Sequence, residues 1–125
     1  LRIETYFEGI QKVVKACPAL RLSNIALDKR GTYEGYIKGE LSFADGATLH
    51  FREFIDVEND PERLMYVYQF QNANTKLIFR YDNTGHHKKK NLPTYPDHKH
   101  QGSEENVIAS DAPTLAEVLE EIMLS

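Results

Sequence analysis

The sequence predicts an α+β fold: an antiparallel five-stranded meander sheet with an N-terminal and a C-terminal helix packed on it. Three observations lead there. Apolar residues recur at three- and four-residue spacing near both ends of the chain, they alternate with polar residues through the middle, and turn-forming residues punctuate that middle at short intervals. With 125 residues, 41% of them hydrophobic and 27% charged, the chain has the size and composition to bury one core, so a single domain over 1–125 is expected.

Residues 2–17 place Ile3, Tyr6, Phe7, Ile10, Val13, Val14 and Cys17 on one helical stripe, which Pro18 ends. Leu20, Leu22 and Ala26 then belong to a first strand reaching about Asp28, and Lys29-Arg30-Gly31 turns the chain. Residues 32–43 put Tyr33, Ile37, Leu41 and Phe43 on one face, and residues 47–57 gather Leu49, Phe51, Ile55 and Val57. Asp45-Gly46 between them ordinarily marks a two-residue turn. That register would send the two apolar faces to opposite sides. A three-residue loop ending in a left-handed Gly46 is expected instead, pairing Leu41 with Leu49 and setting Gly39 under the Phe51 ring.

Asn59-Asp60-Pro61 breaks the sheet, and residues 63–71 resume it with Leu64, Tyr66, Tyr68 and Phe70 on one side and Met65 and Val67 on the other. Residues 76–82 form the fifth strand, with Leu77, Phe79 and Tyr81 alternating against Ile78 and Arg80. Residues 83–112 hold no sustained period and are expected to be one long His-, Lys- and Pro-containing loop. Thr114 and Glu117 make a capping box after Pro113, and Leu115, Val118, Leu119, Ile122 and Met123 form the stripe of the last helix.

Several function classes are disfavoured. No apolar run approaches the roughly 20 residues that cross a bilayer, so no membrane partner is expected. Leu1 opens onto an amphipathic pattern and not a secretory leader, and a single cysteine, Cys17, rules out an internal disulfide; both fit a cytoplasmic protein. Gly35, Gly39 and Gly46 lie in hairpins, and none starts a phosphate-binding helix.

Chemistry concentrates between Arg80 and His100. His86, His87, His98 and His100 lie within 15 residues. The same segment carries five cations against two carboxylates in a chain of net charge -4, which suggests an anionic ligand, although a solvated lysine loop has the same composition. Histidines titrate near neutral pH and can exchange protons with a phosphodiester. In that reading one imidazole takes the ribose 2′-OH proton, another protonates the leaving oxygen, Asp82 or Asp97 orients a ring, and Arg80, Lys88 and Lys89 steady the phosphate. Tyr95 or Tyr36 would stack a base. No cofactor is then required. The alternative is zinc or another divalent metal on His86, His98, His100 and Asp82, since residues two apart in an extended segment point the same way. The spacing matches no standard zinc motif.

The run Arg80-Tyr81-Asp82-Asn83, then Gly85-His86-His87, then Asp97-His98-Lys99-His100, resembles the TumE family of toxins, in the context of the preceding Tyr66-Val67-Tyr68 strand. The resemblance covers roughly residues 60–120. It implies the toxic half of a toxin–antitoxin pair, partnered by an antitoxin with a helix-turn-helix domain, with RNA as the expected target. It carries over to Arg80, Asp82, Asn83, His86, His87, His98 and His100. Lys88-Lys89-Lys90 and the Pro-containing stretch lengthen the gap between His87 and His98, and a pI near 5.7 is low for an RNA-binding toxin.

The leading expectation is thus a metal-independent ribonuclease toxin. His86, His87, His98, His100 and Asp82 would be catalytic, and Arg80, Asn83, Lys88, Lys89 and Tyr95 would bind substrate. A metal-binding phosphoesterase and a non-catalytic interaction module are the alternatives. Edges at residues 20–28 and 76–82 would also allow a homodimer.

Overall fold

The computed structural model describes residues 1–85 and 91–125. Its elements are α1 (Ile3–Lys15), β1 (Leu20–Lys29), β2 (Glu34–Phe43), β3 (Thr48–Asp56), β4 (Glu62–Gln71), β5 (Leu77–Asp82), β6 (His98–Gln101), β7 (Val107–Ala109) and α2 (Leu115–Leu124). The strands form one antiparallel sheet in chain order, β1 to β7.

Among the described residues the sheet therefore has seven strands, not five. The two extra strands come from the stretch 83–112 that was expected to be irregular. Their side chains explain why. β6 reads His-Lys-His-Gln and β7 has three residues, so neither carries the apolar alternation that marks a half-buried strand. β6 also covers the edge of β5, which removes residues 76–82 as a surface for pairing two chains; β1 remains an edge.

Both helices pack on one face of the sheet. Ile3, Phe7, Ile10 and Val14 of α1 and Leu115, Val118, Leu119 and Ile122 of α2 join Leu41, Leu49, Tyr68 and Phe79 in a single buried cluster. Capping of α2 by Thr114 and Glu117 is reciprocal, as the sequence indicated. In β1 the expected face is wrong. A bulge between Leu20 and Leu22 shifts the phase by one residue, so Leu22 is 69% exposed while Ile25 and Leu27 turn toward the core. Tyr33 and Leu64 also lie more exposed than their alternation implied: Tyr33 precedes β2, and Leu64 is the extra residue where the β3–β4 register shifts, between Met65 opposite Phe54 and Arg63 opposite Ile55.

The β2–β3 hairpin has the expected register. Leu41 pairs with Leu49, Gly39 with Phe51 and Glu40 with His50, and Gly46 is left-handed at φ 88°. A Cβ on Gly39 would overlap the Phe51 ring. Gly39→Ala is expected to lower stability by about 1–3 kcal/mol through this overpacking, read from urea unfolding. Adding Phe51→Leu should recover part of the loss, and an unchanged midpoint in Gly39→Ala would show that the ring swings aside freely.

Because strand residues alternate, the face opposite the helices has its own composition. Lys38, Arg52, Arg80, Asp82, His98 and His100 all project there, on strands β2, β3, β5 and β6.

Candidate functional site

Strands β5 and β6 pair so that Asp82 faces His98 and Arg80 faces His100. Four of the residues singled out from the sequence are thereby gathered at one place. Asp82 is 0% exposed, and His98 and His100 are 1% exposed each. A buried carboxylate needs several donors. Its Oδ1 accepts from the Thr84 backbone N–H at 3.0 Å and the Thr84 hydroxyl at 2.9 Å, and its Oδ2 accepts from Arg80 Nε at 2.9 Å. Burial pushes the Asp82 carboxyl up, but the bonds from Arg80 and Thr84, with the nearby His98, outweigh it and hold the group below the ordinary carboxylate range.

Both imidazoles are oriented by backbone carbonyls. His98 Nδ1 donates to the Pro96 carbonyl at 2.8 Å, and His100 Nδ1 donates to the Glu104 carbonyl at 2.8 Å. A carbonyl only accepts, so each Nδ1 carries its proton and each Nε2 is turned toward the carboxylate. His98 Nε2 lies 3.0 Å from Asp82 Oδ1 and His100 Nε2 lies 3.6 Å from Asp82 Oδ2. The three candidate ligand atoms all fall within 4.8 Å of one another. A tetrahedral shell with bonds of 2.0–2.1 Å spaces its ligands roughly 3.3 Å apart, so small ring rotations would close such a shell. Histidines whose second nitrogen is tied to a carbonyl are typical of metal sites.

The other sequence candidates are placed as follows. Arg80 reaches from Asp82 to Glu104, 3.3 Å from its Oε1, and keeps 26% of its side chain exposed. Asn83 joins strand ends: its Oδ1 accepts from Tyr66 N–H at 3.0 Å and its amide donates to the Leu64 carbonyl at 3.3 Å. Tyr95 is 41% exposed and its hydroxyl donates to the Gly85 carbonyl at 3.3 Å. Asp97 accepts from Tyr66 OH at 2.7 Å and is not the carboxylate beside the imidazoles. Lys99 points to the helix face, where it meets Glu121 at 3.1 Å and lies over the Tyr81 ring. His86, His87, Lys88 and Lys89 lie outside the described residues.

Three participants escaped sequence reasoning: Thr84, Pro96 and Glu104. Thr84 follows Asp82 at the spacing of an Asx turn, a signal that was present in the chain. Glu104 and the orienting carbonyls of Pro96 and Glu104 have no sequence signature, since any residue supplies a carbonyl.

Among the described residues, seven antiparallel strands under two helices, with a buried two-histidine, one-carboxylate cluster braced by an arginine, define a small α+β protein that carries a polar centre on the sheet face opposite α1 and α2. A family model described as Toxin TumE matches residues 10–124. The chain belongs to the TumE toxin family. No curated protein and no solved structure matches it. No helix among the described residues is long and apolar enough to cross a membrane.

Proposed function

We propose that this protein is a toxin that cuts RNA, that Asp82, His98 and His100 hold a divalent metal ion beside the Arg80 guanidinium, and that an antitoxin with a helix-turn-helix domain silences it. The observation carrying the proposal is the convergence of His98 Nε2, His100 Nε2 and the Asp82 carboxylate, each ring anchored at Nδ1. An imidazole used as a general base needs one nitrogen turned to the substrate. Here both Nδ1 atoms hold carbonyls and both Nε2 atoms face Asp82. The buried cluster is sized for an ion, and RNA meets it at the exposed edge of Arg80. A bound divalent ion supplies Lewis-acid polarisation of a phosphoryl oxygen. Arg80 contributes a fixed positive charge toward the phosphate.

A second reading keeps the chemistry metal-free. The 3.0 Å separation between His98 Nε2 and Asp82 Oδ1 is also that of a charged hydrogen bond, which would make His98 an imidazolium acid. Elemental analysis of dialysed protein decides between them. Near one equivalent of zinc or a similar ion is expected, with loss of RNA cleavage and a lower melting temperature in chelator. Cleavage that persists in chelator, from protein holding under a tenth of an equivalent, would reject the metal centre in favour of imidazolium chemistry.

A further inference from the structure

The sheet face opposite α1 and α2 continues beyond the Asp82–His98–His100 cluster. Register places its side chains in rows that cross the strands. One row runs Ala26, Lys38, Arg52, Val67, Asp82, His98 from β1 to β6. The next, toward the other strand ends, places Tyr36 beside Phe54 and Phe54 beside Met65. On the opposite side of the first row, His50 lies between Glu40 and Gln69, and Gln69 pairs with Arg80. Over β1 to β4 this face is concave, a cleft of about 510 Å³ whose walls include Asn24, Lys38, His50, Arg52 and Gln69.

We infer that this cleft is the binding track for single-stranded RNA, leading the strand across β2 and β3 to the cluster on β5 and β6; the inference rests on the RNA reading above. Lys38 and Arg52 are exposed and lie in line with Asp82, so they fit successive phosphates. Strands are about 4.8 Å apart, which puts Arg52 roughly 10 Å from Asp82 and Lys38 roughly 14 Å from it. That is the scale of neighbouring nucleotides, not of a distant patch. Tyr36 and Phe54 are half-buried aromatic side chains on the same face and offer base-stacking surfaces beside the two cations. Asn24, His50 and Gln69 can hydrogen-bond to base edges or 2′-hydroxyls. Glu40 is the one carboxylate lining the cleft, and its charge would turn the phosphate path toward the Lys38–Arg52 row. Cations beside flat aromatic rings in an open trough suit a flexible single strand better than a duplex, whose bases are stacked away.

The test uses a fluorescent 2′-O-methyl oligonucleotide, which cannot be cleaved through its 2′ position, titrated against the full chain by anisotropy. Arg52→Ala and Lys38→Ala should each weaken binding roughly five- to tenfold and take about one unit off the salt slope. Tyr36→Leu should weaken it severalfold without changing that slope. Lys12→Ala, on α1 at the other side of the molecule, serves as the charge control. Unchanged affinity in Arg52→Ala and Lys38→Ala, with Arg80→Ala weakened, would overturn the track while leaving the RNA reading in place. If the wild-type chain binds no oligonucleotide, both fall. If the variants bind oligonucleotide normally but lose a purified antitoxin, the face is a protein interface and the track is rejected.

Discussion

If the proposed metal centre cuts RNA, Asp82→Asn is expected to lose metal binding and at least ~10³-fold in RNA cleavage, about 4 kcal/mol of transition-state stabilisation, while keeping the fold. The reason lies in how Asp82 is held. Its backbone pairs with His98 through the β5–β6 ladder, which the substitution leaves intact. An asparagine carbonyl can still accept from the Thr84 N–H and hydroxyl. What it cannot supply is the charge that faces Arg80 and both Nε2 atoms. Removing the carboxylate charge therefore leaves any cation bound in the buried cluster without its anionic ligand, while Arg80 keeps Glu104 as a partner. Growth after induction, cleavage of labelled RNA and metal content should change together. Thr84→Val provides the graded comparison. It deletes one donor to Asp82 and should cost roughly 10-fold, the usual size of a supporting contact around a metal ligand. An Asp82→Asn protein that remains fully toxic would remove this cluster from the mechanism altogether.

The legibility of this protein divides at Asp82. Up to that residue the chain uses apolar alternation, and the phase of that alternation was enough to fix the β2–β3 register against the Asp-Gly turn signal. Gly39 under Phe51 is the clearest instance, because a bare backbone opposite a large ring is written in residue types. The bulge at Leu20/Leu22 was not legible, since an extra residue changes the phase without changing composition. Beyond Asp82 the ordering forces are polar. β6 is held by ladder hydrogen bonds and by histidines that reach a carboxylate and two carbonyls. Residue identity marked His98, His100, Asp82 and Arg80 as chemical, and alternation put the two histidines on one side, but only the ladder reveals that the histidine pair meets Arg80 and Asp82 on one face. Asp97, a carboxylate of equal standing in sequence, is drawn instead to Tyr66.

Glu53→Ala is expected to destabilise the protein by about 3–5 kcal/mol, a large part of the 5–15 kcal/mol that holds a typical domain together. Glu53 is 0% exposed on the helix-facing side of β3. It accepts hydrogen bonds from the hydroxyls of Tyr6 of α1 and Tyr68 of β4. Arg63 donates to Tyr68 at 2.8 Å and continues to the carbonyls of Pro113 at 2.6 Å and Ala112 at 2.8 Å, just before α2. One carboxylate thus ties both helix starts to the sheet, and truncating it leaves the buried Tyr68 phenol and the half-buried Tyr6 phenol without their acceptor. In urea the midpoint should fall by on the order of 2 M. The network also sets an alkaline limit. Burial, then the Glu53 charge, raises the Tyr6 and Tyr68 hydroxyls well above the ordinary 10.0. The unfolded chain therefore releases these protons first, and stability should fall as pH climbs past about 10. Glu53→Gln removes the charge while keeping a hydrogen-bonding group, so its alkaline decline should be shallower. The triple replacement Glu53→Met, Tyr6→Phe, Tyr68→Phe should recover most of the lost stability, because an apolar set of similar volume needs no partners. A Glu53→Ala protein within 1 kcal/mol of wild type would show that water reaches the phenols and that the helices are held by apolar packing alone.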